Sequence, residues 1–158
     1  MKNLKMLIMD VDGTLTDGKL YISSSGEVMK AFSIKDGYAI KNILPQLGII
    51  PVIITGRVSN AVRIRAGELG ISELHEGIDD KLEICRKLME KYGLKDENVA
   101  FIGDDCNDIP MFSCCGFTAC PNNAAAEVKQ ISSLVLQANG GEGAVREYIE
   151  HIRKEKEK

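Results

Sequence analysis

The chain has 158 residues, a length suited to one domain. Hydrophobic residues make up 44% and charged residues 27%, values that exclude a disordered chain or a fibrous repeat. Lys+Arg number 20 against 23 Asp+Glu, a formal net charge of -3, so the basic excess of a nucleic-acid binder is absent. No apolar run reaches the roughly 18 residues of a membrane span. Met1 to Met9 lacks the long apolar region and cleavage site of a secretory signal. The expectation is a soluble, cytoplasmic protein with neither nucleic acid nor membrane as partner. Cys85, Cys106, Cys114, Cys115 and Cys120 are odd in number and show no CxxC spacing, so they read as reduced thiols.

In chain order, Leu4 to Met9 is a compact apolar run ending at Asp10 and predicts a buried strand. Leu20 to Ile22 and Val28 to Phe32, joined by Ser23-Ser24-Ser25-Gly26-Glu27, predict a β-hairpin. Helical spacing from Asp36 to Leu47 stops at Gly48. Ile49 to Ile54 is β-branched, short and without polar alternation, as in a strand covered on both faces. A helix capped by Ser59 runs to Leu69. Another opens at Asp79 or Asp80, with Leu82, Cys85, Leu88, Met89 and Tyr92 on one stripe. Val99 to Ile102 is a third buried strand; Gly116 to Ala119 and Ser133 to Leu136 give a fourth and a fifth. Helices from Ala124 to Gln130 and from Glu142 to about Ile152 complete the chain, with Arg153 to Lys158 expected to fray.

This alternation implies an α/β fold, a Rossmann-like parallel sheet flanked by helices. The whole of 1–158 reads as a single domain, with a hairpin insert at about 17–33 and a C-terminal tail at about 139–158. Ligands of such sheets bind beyond the carboxyl ends of the strands. Asp10, Thr55 and Asp104 each follow a predicted strand, so three polar groups leave the sheet at one rim.

Asp10 and Asp12 stand two apart, which in extended backbone turns both carboxylates to one side. Asp104, Asp105 and Asp108 add negative charge at the same rim. Clustered oxygen ligands without His or Cys suit Mg2+ rather than zinc. Thr55, Gly56 and Arg57 supply a hydroxyl, a small residue and a guanidinium, and Lys81 an ammonium, groups that complement phosphate oxygens beside a cation. No GxxxxGK[ST] nucleotide loop occurs.

Asp10-Val11-Asp12-Gly13-Thr14, Ile54-Thr55-Gly56-Arg57, Lys81 and Gly103-Asp104-Asp105-Cys106-Asn107-Asp108 resemble, in order, the four motifs of the haloacid dehalogenase superfamily phosphatases. Leu15-Thr16-Asp17-Gly18, Asp36-Gly37-Tyr38 and the Gly140–Glu147 segment bring the chain nearest to the capless 3-deoxy-D-manno-octulosonate 8-phosphate phosphatases. Phosphatases of nonulosonate 9-phosphates share most of these motifs; Arg57 leans toward the octulosonate group, whereas Asn139 and Glu142 depart from its usual pattern. The resemblance implies Asp10 as a nucleophile that becomes an aspartyl-phosphate, and Asp12 as the acid and base. It implies Mg2+ held by Asp10, the backbone carbonyl of Asp12, and Asp104. Thr55 and Lys81 would stabilise the phosphoryl group, and Asp105 and Asp108 would orient Lys81 or a metal-bound water. Arg57 and Arg65 are candidates for a substrate carboxylate. A homotetramer in which hairpins pack together is implied as well, although Glu27 and Lys30 could equally protect an exposed hairpin edge. A receiver-like phosphoacceptor domain is the rival reading, and Asp12 argues against it.

Overall fold

The computed structural model describes residues 1–158 except for the side chain of Val28. Six parallel strands form the main sheet in the spatial order Glu73–His75 (β5), Ile50–Ile54 (β4), Met6–Met9 (β1), Val99–Ile102 (β6), Phe117–Cys120 (β7) and Leu134–Val135 (β8). Tyr21–Ser23 (β2) and Gly26–Met29 (β3) pair antiparallel as a separate hairpin. The central strands align in register, with Met6 opposite both Ile50 and Val99 and Met9 opposite both Ile53 and Ile102. That register brings the residues just beyond β4, β1 and β6 to one edge.

The period-two alternation of a strand divides the core. Leu7 and Met9 face one layer with Ile53, Ala100 and Ile102, covered by Ala39–Ile43, which continues the short helix Ile34–Tyr38 (α1), and by helices Asn60–Leu69 (α2) and Ala144–Glu157 (α6). Met6 and Ile8 face the other with Val52, Ile54 and Phe101, covered by Lys81–Tyr92 (α3) and Ile109–Phe112 (α4). Every residue of β1 is buried on both faces, which is why its sequence shows no polar alternation. Each such side chain contributes about 1.5–3 kcal/mol on leaving water. A sixth short helix, Ala126–Ile131 (α5), lies between β7 and β8 in sequence.

Three expectations shift. The Asp36–Leu47 helix begins earlier, at Ile34 behind the cap Ser33, widens over Ala39–Ile43, and breaks before a tight turn at Pro45–Leu47. Proline has no N–H to continue the ladder. The Arg153–Lys158 tail does not fray at Arg153: α6 continues to Glu157, and Lys156 Nζ donates to the carbonyls of Lys2 at 3.2 Å and Leu4 at 3.0 Å. Strand β5 and helix α4 have no counterpart among the predicted elements, because three or four residues are too few to show a period. All five cysteines are free, and among the described residues no helix is long and apolar enough to cross a membrane.

Candidate active site

The loop after β1 is wound tightly by its own small residues. Val11 carbonyl accepts from the N–H groups of Thr14, Leu15 and Thr16. Thr16 Oγ1 accepts from Gly13 N at 3.3 Å and Gly18 N at 3.2 Å while donating to the Val11 carbonyl. Asp10 N donates to the Ile102 carbonyl at 3.1 Å, which locks the start of this loop to the end of β6. Gly13 has φ +92°, and a Cβ there would overlap the Asp104 carboxylate. Only glycine meets both requirements.

The neighbouring elements then deliver their groups to the same place. Thr55, buried at the end of β4, donates its N–H to the His75 carbonyl at 2.9 Å, and its own carbonyl accepts from Ile78 N at 3.1 Å. These bonds carry the chain round to α3, which Asp80 caps by accepting from Glu83 N at 3.0 Å. Lys81, at the first position of that helix, is buried and places its ammonium 2.6 Å from both Asp10 Oδ1 and Asp108 Oδ1. Asp108 Oδ2 accepts from Asp104 N at 3.0 Å, and Thr14 Oγ1 donates to Asp104 Oδ1 at 3.0 Å.

Carboxylate oxygens of Asp10, Asp104 and Asp108 lie within 4.8 Å of one another. Burial, and next the charge of Asp108, push the Asp10 carboxyl up to about 6 in spite of Lys81. Burial, and next the charge of Asp10, push Asp104 up to about 8. Burial alone would pull the Lys81 ammonium down, but Asp10 and Asp108 outweigh it and hold the ammonium above its ordinary value. One lysine therefore leaves uncompensated negative charge between Asp10 and Asp104, in an all-oxygen donor set. That arrangement fits a hard divalent cation. Both oxygens of Asp108 are already engaged, Oδ1 by Lys81 and Oδ2 by the amides of Asp104 and Asp105.

Asp10, Asp12, Thr55, Gly56, Arg57, Asp105, Cys106 and Asn107 line an open cleft of about 300 Å³. Arg57 is half-exposed there, 3.7 Å from Glu27. Asp105 accepts from Cys106 N at 2.8 Å and caps the following turn; its carboxylate has no bond to Lys81, so that expected contact belongs to Asp108 alone. Arg65 is not among the residues of the cleft: its guanidinium reaches Glu68 at 3.1 Å and the Ser33 carbonyl at 3.4 Å, against α1. The Gly140-Gly141 segment packs against the loop after β1, with Gly141 N donating to the Thr14 carbonyl at 3.1 Å.

Two polar residues of the site escaped the sequence reading. Lys30 does not guard a hairpin edge; its side chain is 1% exposed and its ammonium lies 2.5 Å from Asp12 Oδ1. Glu27 turns inward beside it, 3.0 Å from the same ammonium. The one available signal was their spacing of three residues at the returning end of the hairpin.

A sequence profile of the haloacid dehalogenase-like hydrolases matches residues 55–149. The 3-deoxy-D-manno-octulosonate 8-phosphate phosphatase KdsC of Haemophilus influenzae is 39% identical over 152 residues, 96% of this chain and 84% of that protein. A cobalt-bound deoxy-D-mannose-octulosonate 8-phosphate phosphatase structure from Haemophilus influenzae matches with a TM-score of 0.95 at 38% identity, covering 99% of this chain and 91% of the other. The Moraxella catarrhalis 3-deoxy-D-manno-octulosonate 8-phosphate phosphatase, in complex with magnesium ion, phosphate ion and KDO, matches with a TM-score of 0.92 at 42% identity, covering 97% and 87%.

Proposed function

The chain belongs to the haloacid dehalogenase-like hydrolase family and is a phosphoric monoester hydrolase, and from that premise we propose that it hydrolyses 3-deoxy-D-manno-octulosonate 8-phosphate to the free sugar acid and phosphate, with Mg2+ as cofactor. The observation that carries this reading is the Asp10–Lys81–Asp108 ion set beside Asp104 at the carboxyl edge, in a chain so similar over its length to phosphatases of that ester.

Asp10 attacks phosphorus, so that an Asp10–phosphorus bond forms as the bond to the sugar oxygen breaks. Asp12 gives a proton to that oxygen, then takes one from the water that cleaves the aspartyl-phosphate. Thr55 hydroxyl and Lys81 ammonium hold the transferring oxygens, and Asp108 keeps Lys81 aimed. Asp10, the Asp12 carbonyl and Asp104 would hold Mg2+, which offsets the charge gathering on the phosphoryl oxygens. Arg57, at the cleft, suits the substrate carboxylate.

The protein acts as a cytoplasmic homotetramer in this reading. Support comes from the apolar side chains that the hairpin and adjoining helices expose, Ile22 at 65%, Met29 at 56%, Ile34 at 82% and Ile64 at 58%. The test of function is kcat/KM over a panel of sugar phosphates that includes the octulosonate 8-phosphate and nonulosonate 9-phosphates. The octulosonate ester is expected to lead by at least about tenfold, a difference of about 1.4 kcal/mol in transition-state binding; a nonulosonate ester in the lead would contradict the assignment.

A further inference from the structure

The hairpin reaches the chemistry through a chain of charged contacts. The Lys30 ammonium bridges Asp12 Oδ1 at 2.5 Å and Glu27 Oε2 at 3.0 Å. Glu27 Oε1 accepts from Ser59 Oγ at 2.5 Å, and Arg57 Nη2 stands 3.7 Å from Glu27 Oε2. Ser59 N in turn donates to Glu76 Oε1 at 2.9 Å, and Arg63 Nε holds the other Glu76 oxygen at 2.5 Å. Asp12 is thus connected to the start of α2 through two hairpin residues. Ser59 spends its hydroxyl on this chain rather than on capping its own helix.

Burial separates the Lys30–Asp12 pair from an ordinary surface ion pair. Exposed pairs contribute little and wander, whereas the Lys30 side chain is 1% exposed and locked from its far side by Glu27. Among the described residues, only the Oδ1 of Asp12 is engaged by the protein. Fixing one carboxyl oxygen fixes the direction of the other, and a proton donor works only within hydrogen-bond reach of its acceptor.

We propose that Lys30, held by Glu27, is a positioning residue that aims Asp12 Oδ2 at the leaving oxygen of the substrate. The proposal rests on the reading of Asp12 as proton donor, and it concerns orientation alone. A positioning role has a signature that a structural role lacks. An alkyl leaving group, such as a sugar hydroxyl, needs the proton, while p-nitrophenolate departs without it.

Steady-state kinetics of the intact protein with Mg2+, on the octulosonate 8-phosphate and on p-nitrophenyl phosphate, provide the test. Lys30→Met should lower kcat/KM on the sugar ester, which reports the steps up to departure of the leaving group, about 10- to 100-fold, the scale of a misplaced catalytic group. The loss of kcat/KM on p-nitrophenyl phosphate should stay below about threefold, whereas kcat on both esters also carries the later use of Asp12 as base. Added to Asp12→Asn, Lys30→Met should cost nothing further on the sugar ester, since both changes remove one function. Glu27→Gln should show the same substrate contrast more weakly and serves where Lys30→Met does not fold. Equal losses on both esters, or losses that multiply in the double variant, would overturn the proposal. Full sugar-ester turnover by Asp12→Asn alone would instead remove Asp12 as donor, a failure of the underlying reading that is told apart by the single variant.

Discussion

Among the described residues, Lys81 is the one ammonium bonded to Asp10 and Asp108, and Asp104 has none. The consequence is a pH dependence of definite sign. Asp104 is raised to about 8 and Asp10 to about 6, both from 3.8, burial being the first cause in each case. The folded state therefore binds these protons more tightly than the unfolded chain. Their contribution to stability is full below pH 4 and is lost as pH rises through 6 and 8. Asp36, raised to about 6 by burial, acts in the same direction. Glu73 is lowered to about 2, chiefly by Lys91, and its contribution is already complete above pH 5. Melting curves in chelator should thus show a Tm that falls between pH 5 and 9; Mg2+ should displace the protons and cancel much of the fall. A metal-free Tm that climbs over that interval would contradict the charge assignment. Asp10, Thr55, Lys81 and Asp104 were legible in the sequence because each ends a strand or opens a helix. Lys30 was not, since a three- or four-residue strand is too short for alternation to say which side chain turns inward.

Among the elements, the C-terminal glycine segment bears most directly on the site. A Cβ at Gly140 would overlap the Gly13 carbonyl, so the last loop and the loop after β1 touch backbone to backbone. Gly140→Ala should cost about 1–3 kcal/mol, the usual penalty of overpacking, and should lower kcat by displacing Asp10 and Asp12. Gly67→Ala, with open space around its Cβ and a place within α2, should instead stabilise by about 0.5–1 kcal/mol. Thermal unfolding and kcat of the two variants check the contrast; a neutral Gly140→Ala would refute the strut. The order of the main elements followed from apolar runs and from stop signals such as Gly70 after α2. Strand β5 stayed hidden because Glu73-Leu74-His75 has polar side chains at both ends, and Glu73 is buried by virtue of Lys91, Tyr92 and His75, partners that tertiary structure supplies. The end of α6 was misjudged for the same reason: its anchor is the N-terminal backbone, distant in sequence.

On the scale of the whole molecule, the sheet, cleft and hairpin divide the work. The parallel sheet brings three strand ends together, the cleft stays open to water, and the hairpin exposes apolar side chains beyond it while sending Lys30 and Glu27 inward. An open site excludes little water, and electrostatic contacts strengthen when water is excluded. In the proposed tetramer, association through the hairpin face would meet both needs. Light scattering at working concentration should return a mass near four times 17.3 kDa, and a monomer would contradict that assembly. The central claim concerns one oxygen of Asp10. Rapid quenching of the enzyme with substrate and Mg2+, followed by borohydride reduction and peptide mass spectrometry, should convert Asp10 alone to homoserine and leave Asp12 and Asp104 unchanged. Modification at another aspartate, or none under conditions of steady turnover, would contradict the account.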